Sequence, residues 1–106
     1  MKFNGKILVI GLGAVSRCAL PLLLKHIEVR KKNITVMDFA KVEAHARFVK
    51  EQGANFVQDR VTRENMGNLL SKHVGDGDII VDLAWNIGCV DILQWCHDHN
   101  VRYVNT

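Results

Sequence analysis

The sequence predicts an α/β domain built on a doubly wound parallel sheet, and three observations carry that reading. Short runs rich in β-branched residues alternate with longer amphipathic stretches, the order in which strands and crossover helices follow one another. Five such runs occur, and the stretches between them are long enough to return the chain for parallel pairing. The run at 6–10 leads straight into Gly11 and Gly13, where a strand turns into a helix.

The elements follow in chain order. Lys6-Ile7-Leu8-Val9-Ile10 is almost wholly apolar, as a central strand covered on both faces must be. A helix is predicted over 14–26, with Ala14, Val15, Cys18, Ala19, Leu22 and Leu23 on one face. Pro21 lies inside it and cannot donate a backbone hydrogen bond to the Arg17 carbonyl, so the helix is expected to bend there. A strand at 34–37 precedes a helix at 42–52 with Phe48 and Val49 inward, stopped by Gly53, which adopts the left-handed C′ conformation without a Cβ penalty. After a strand at 55–58, Thr62 is the expected N-cap of a helix that carries Glu64 at its positive end, turns Met66, Leu69 and Leu70 inward and stops near His73. Gly75-Asp76-Gly77 has turn chemistry. A strand at 78–82, a helix at 88–99 presenting Val90, Leu93 and Cys96 with Ile92 beside them, and a strand at 101–104 complete the set.

Right-handed crossovers arrange these strands in the order 3-2-1-4-5 and put strand one at the switch point, where open α/β sheets bind ligands beyond the carboxyl ends of their strands. Strand five is left with an open edge at the end of the sequence, which reads as part of a larger two-domain enzyme.

Composition narrows the function classes. The 106 residues are 48% hydrophobic and 24% charged, the proportions of one globular domain able to bury a core without disulfides or a structural metal. No segment approaches the roughly 20 apolar residues of a membrane span, and the amino terminus runs directly into a strand rather than a signal peptide, so a cytoplasmic protein with no membrane partner is expected. A net charge of +3 is too small to argue for nucleic acid. The charge is uneven: residues 1–53 hold 10 basic and 4 acidic side chains and residues 54–106 hold 4 and 7, so the first half favours an anionic ligand. Cys18, Cys89 and Cys96 form no Cys-x-x-Cys pair and are expected as buried, reduced thiols; Cys89 near a helix start has no partnered base. His26, His73 and His99 lie near helix ends, and His97 and His99 project from different faces, so no metal site is expected. Trp95 is expected to pack in the core.

The chemistry concentrates in Gly11-Leu12-Gly13-Ala14-Val15-Ser16. Gly11 permits the tight turn out of the strand, and Gly13 lets a pyrophosphate approach the backbone N–H groups at the positive end of the 14–26 helix. Ser16 stands where this motif often has its third glycine; a small side chain still allows close packing, and its hydroxyl offers a further phosphate hydrogen bond. Asp38 follows 22 residues after Ser16 at the end of strand two, where a carboxylate accepts hydrogen bonds from an adenosine ribose and repels a 2′-phosphate. That favours NAD over NADP, although Lys41 nearby keeps the choice open. The pattern defines a Rossmann-type sheet. Asp59 at the end of strand three either borders the adenine or belongs to an ordinary strand-to-helix turn. Leu83-Ala84-Trp85-Asn86 follows strand four where the nicotinamide half of a dinucleotide runs; Asn86 is the hydrogen-bonding candidate, and Trp85 either walls that site or packs under a second domain.

The 6–16 segment, Ala19-Leu20-Pro21-Leu22-Leu23, Met37-Asp38 and Asp82-Leu83-Ala84-Trp85-Asn86 together resemble the amino-terminal cofactor domain of the bacterial homospermidine synthase family, which is related to saccharopine dehydrogenase-like enzymes. The resemblance runs through essentially the whole sequence, with Ala19 to Leu23 and Ala84-Trp85-Asn86 its narrower signals. It implies a tightly held NAD, two putrescine molecules joined into homospermidine with release of ammonia, and a homo-oligomer formed through a carboxyl-terminal part. It implies no catalytic residue within these 106 residues, since the groups that hold a dicationic amine belong to the domain closing the cleft. Two other readings share the same motifs: a saccharopine- or carboxynorspermidine-type dehydrogenase, and a nucleotide-sensing regulatory domain of a potassium transporter.

Overall fold

The computed structural model describes residues 3–11, 21–22, 25, 30–38, 43–59, 61–62, 64–82 and 89–105. Five strands, β1 (Ile7–Ile10), β2 (Ile34–Asp38), β3 (Asn55–Gln58), β4 (Ile79–Asp82) and β5 (Arg102–Asn105), form one sheet. Its order is β3-β2-β1-β4-β5 and every neighbouring pair is parallel, the topology expected from the alternation in the sequence. All four residues of β1 are buried, because Ile7 pairs with Ile34 on one side and Ile79 on the other and both faces are covered.

The helices α1 (Glu43–Glu51), α2 (Met66–His73) and α3 (Cys89–Asp98) divide between the faces. Val49 of α1 packs on Ile7, Val9, Ile34 and Val36. Leu69 and Leu70 of α2 and Ile92, Trp95 and Cys96 of α3 pack with Leu8, Ile10 and Ile80 on the opposite face. Alternate residues of β1 therefore feed the two halves of the core, as the strand period of two requires. Between β3 and β4 the chain changes the side on which its helices return.

Helix ends follow the local chemistry. Gly53 takes φ 86° just beyond α1; its N–H donates to the Lys50 carbonyl at 2.9 Å and the Ala54 N–H to Val49 at 3.2 Å. This is a Schellman ending, with glycine in the left-handed position as expected. α3 ends the same way with Asn100 at φ 56°, where the Val101 N–H donates to the Cys96 carbonyl at 2.8 Å. At the start of α2 the expectation needs correction, since the N-cap is Asn65 and not Thr62. Thr62 sits one turn earlier in a reciprocal pair: its N–H donates to Asn65 Oδ1 at 2.7 Å and the Asn65 N–H donates to Thr62 Oγ1 at 3.1 Å. The capping-box logic thus operates on the turn leading into the helix, with Asn in the place of Glu.

Two inward assignments are also corrected. Pro21, Leu22 and Lys25 are helical, the rest of the predicted 14–26 helix lying outside the described residues. Leu22 is 56% exposed while Pro21 is half-buried, a helical step of about 100° separating the two neighbours. In α3, Leu93 is 54% exposed and Ile92 fully buried. Ile92, Trp95 and Cys96 share one face at i, i+3 and i+4, and Leu93 lies a step off it.

The amino-terminal edge of the sheet is tied by Asp78. Its Oδ1 accepts from the Lys6 N–H at 2.8 Å and its Oδ2 from the Gly75 N–H at 2.7 Å, joining the start of β1 to the turn before β4. A Cβ on Gly5 would stand 2.6 Å from Asp78 Oδ1, so this close approach requires glycine. The next turn is held by the Asn100 side-chain amide donating to Asp76 and by the Gly77 N–H donating to the Asn100 carbonyl at 2.9 Å.

The burial difference along α3 sets an expected outcome. Ile92→Ala removes a fully enclosed side chain and costs about 2–5 kcal/mol, whereas Leu93→Ala changes stability by about 0.5 kcal/mol or less. Urea unfolding of the two variants checks it, and equal losses would contradict the packing.

Candidate functional site

The carboxyl ends of β1, β2 and β3 bring three of the sequence candidates together. Gly11 leaves β1 at φ 94°, a conformation that favours glycine, and its N–H donates to the Met37 carbonyl at 2.7 Å, extending the ladder one residue past the strand. Asp38 is the next residue on β2 and is half-buried. The Asp59 N–H donates to the Asp38 carbonyl at 2.9 Å, so Asp59 lies beside Asp38 across the β2–β3 pair. A glycine turn, a ribose-binding candidate and a neighbouring acid therefore share one rim. Gly13, Ala14, Val15, Ser16, Ala84, Trp85 and Asn86 lie outside the described residues.

A feature without a local sequence signature stands on the β4 side of the same rim. Asp82 ends β4 with 4% of its surface exposed, the buried charged side chain among the described residues. The Tyr103 hydroxyl of β5 donates to Asp82 Oδ2 at 2.5 Å. The signal available in the sequence is a lone acid closing the apolar run Ile79-Ile80-Val81; its partner is 21 residues away.

Cys96, His99 and His73 have surroundings set by packing. Cys96 is buried, and burial pushes its thiol up to about 11, which keeps it protonated and inert, as expected for a core cysteine. Trp95 packs in the core as expected, and the exposed His99 ring stacks on it at 4.1 Å between centroids, with Nδ1 2.8 Å from the Trp95 carbonyl oxygen. His73 ends α2 but is half-buried, so it is not a plain surface residue. Burial, then the cations of Lys72 and Lys6, lower its affinity for a proton, and Asp59 acts in the opposite direction. Among the described residues no group of three His, Cys, Asp or Glu side chains is placed to hold a metal ion, and no helix is long and apolar enough to cross a membrane.

A parallel sheet wound to both sides, with a left-handed glycine at the end of its central strand and an acid at the end of the next, defines the nucleotide-binding class of α/β domains. Residues 7–106 match the saccharopine dehydrogenase NADP-binding domain, and the chain belongs to that family. It is 31% identical to a homospermidine synthase of Mesorhizobium japonicum and 26% identical to one of Blastochloris viridis, in each case over 99% of this chain and 22% of the relative. The chain thus spans about a fifth of the length of these curated relatives. Among solved structures, the homospermidine synthase of Legionella pneumophila in complex with NAD superimposes with a TM-score of 0.91 at 16% identity, over 99% of this chain and 22% of that one. An imine reductase from a Pseudomonas species superimposes with a TM-score of 0.51 at 20% identity, over 96% and 40%. Both share the fold.

The His73 environment has a pH consequence. The folded form holds its proton less tightly than the unfolded chain, whose value is near 6.5, so the stability due to the neutral imidazole is present above that pH and lost as pH falls below it. Urea midpoints at pH 7.5 and 5.5 are expected to differ less in His73→Gln than in the unchanged protein. An equal difference would show that His73 does not contribute.

Proposed function

We propose that this chain is the NAD-binding part of a homospermidine synthase. The observation that carries the reading is the rim itself: Gly11 in a left-handed turn at the end of β1, hydrogen-bonded to β2 next to Asp38. That arrangement fits a dinucleotide. In this reading the glycine motif Gly11-Leu12-Gly13-Ala14-Val15-Ser16 receives a pyrophosphate on its backbone N–H groups, and Asp38 accepts hydrogen bonds from the adenosine ribose. The family's name refers to NADP, but the Asp38 carboxylate would stand against a 2′-phosphate, so NAD is the proposed ligand. Asp59 borders the adenine side, and Ala84, Trp85 and Asn86 serve the nicotinamide side.

The proposed overall reaction joins two putrescine molecules into homospermidine and releases one ammonia, with no net oxidation. Bound NAD supplies a place to store a hydride and return it within one cycle. This chain's part is to bind and orient the cofactor; the carboxylates and aromatic faces that hold a dicationic amine belong to the polypeptide beyond it. Support comes from the two curated relatives, both homospermidine synthases, and from the NAD-bound enzyme that shares the fold. The proposed cofactor and a small polyamine substrate are the partners this reading requires.

The full-length polypeptide carrying this chain, purified with NAD, is expected to convert putrescine alone to homospermidine and ammonia, read by mass spectrometry of the amines. A requirement for stoichiometric NADH would instead favour a saccharopine- or carboxynorspermidine-type dehydrogenase. In the same protein Asp38→Ala is expected to weaken NAD more than NADP, by about tenfold against little change, the value of charge-assisted hydrogen bonds to a ribose. Equal losses in a titration of both would remove Asp38 as the discriminating residue.

A further inference from the structure

The Asp82–Tyr103 pair is absorbed neither by the core nor by the adenosine side of the rim. A buried carboxylate at a strand end costs desolvation that an apolar residue would avoid, and the preceding Ile79-Ile80-Val81 shows that this strand otherwise takes apolar residues. The carboxylate is held from β5. Tyr103 pairs with Ile80 in register and Asp82 with Asn105, so the phenol reaches one pleat repeat forward to the carboxyl end, its ring packed against the core and its hydroxyl 2.5 Å from Asp82 Oδ2. On the other side Asp82 pairs with Ile10, the residue before Gly11. The pair thus locks the last position of β4 to β5 beside the glycine turn.

We propose that Asp82 and Tyr103 are positioning residues for the nicotinamide half of bound NAD, a role that rests on the NAD-binding reading above. The pyrophosphate is assigned to the turn after Gly11, at the switch point between β2 and β4. With the adenosine toward Asp38 on the β2 side, the other half of the dinucleotide extends toward β4, where the chain leaves at Asp82 for Leu83-Ala84-Trp85-Asn86. Fixing Asp82 holds the end of β4, beside which that half is proposed to lie. The adenosine half, on the far side of β1, does not depend on it.

The test compares NAD with ADP, which keeps the adenosine and pyrophosphate and lacks the nicotinamide riboside. Calorimetric titrations of both ligands are made on the full-length polypeptide as purified and freed of nucleotide, and on its Tyr103→Phe and Asp82→Asn variants, with thermal unfolding recorded for each. Tyr103→Phe keeps the ring and removes one hydroxyl, so it decides the matter even if Asp82→Asn fails to fold. The expected result is NAD binding weakened about fivefold, the cost of ordering on binding a side chain that the phenol no longer holds, with ADP binding within about twofold of the unchanged protein. A general loss of structure would weaken both ligands alike, and that outcome, or unchanged NAD binding, overturns the proposal while leaving the NAD-binding reading intact. Failure of the unchanged protein to bind either ligand overturns both.

Discussion

The register of β1 between β2 and β4 is the constraint on which the rest of the domain depends. Its four buried residues pair on both sides and send alternate side chains into opposite halves of the core. A slip of one residue would exchange those halves, placing every β1 side chain on the wrong face. Held in register, β1 ends level with Met37 and Asp82, and the Gly11 N–H completes the ladder on the Met37 carbonyl. The rim at which Gly11, Asp38, Asp59 and Asp82 meet is thus a product of core packing, and each arrives through the pairing of its own strand.

Much of this architecture was legible because each element carries a strong local pattern. Four- or five-residue apolar runs, glycine after α1 and the Gly75-Asp76-Gly77 turn each have a short-range physical cause, and the strand order follows from the handedness of crossovers. Helix faces were less legible. Leu93 and Leu22 satisfy a hydrophobic count, but a helix has one covered side, and which of two adjacent apolar residues lies on it is decided by the partner surface. The start of α2 was displaced for a related reason: Thr62 and Asn65 are both good caps, and their mutual hydrogen bonds make a turn before the helix begins. The Asp82–Tyr103 contact was invisible to spacing because it joins two strands across a crossover.

For the site, the sequence pattern singles out Gly11 and Asp38 because it expects a phosphate-binding turn and a ribose-binding acid at fixed positions relative to strands; the structure puts both residues at the rim, and their roles are those proposed above. The cation excess in residues 1–53 does not gather there, since Lys6 precedes β1, Arg30, Lys31 and Lys32 precede β2, and Lys50 ends α1 before β3, all at the amino end of the sheet opposite the rim. Fold alone does not decide chemistry, since similar sheets carry dehydrogenases, synthases and sensors. The proposed activity accordingly rests on the narrower likeness to homospermidine synthases, while the proposed preference for NAD rests on a single carboxylate at the end of β2.

Among the described residues, the stitching around Asp78, Asp76 and Asn100 and the two Schellman endings all lie at the amino end of the sheet, opposite the rim. The scaffold is therefore riveted at its base. Loops grafted onto the opposite end would inherit a platform whose integrity they do not supply, making this small domain a chassis for redirecting cofactor choice without rebuilding its foundations.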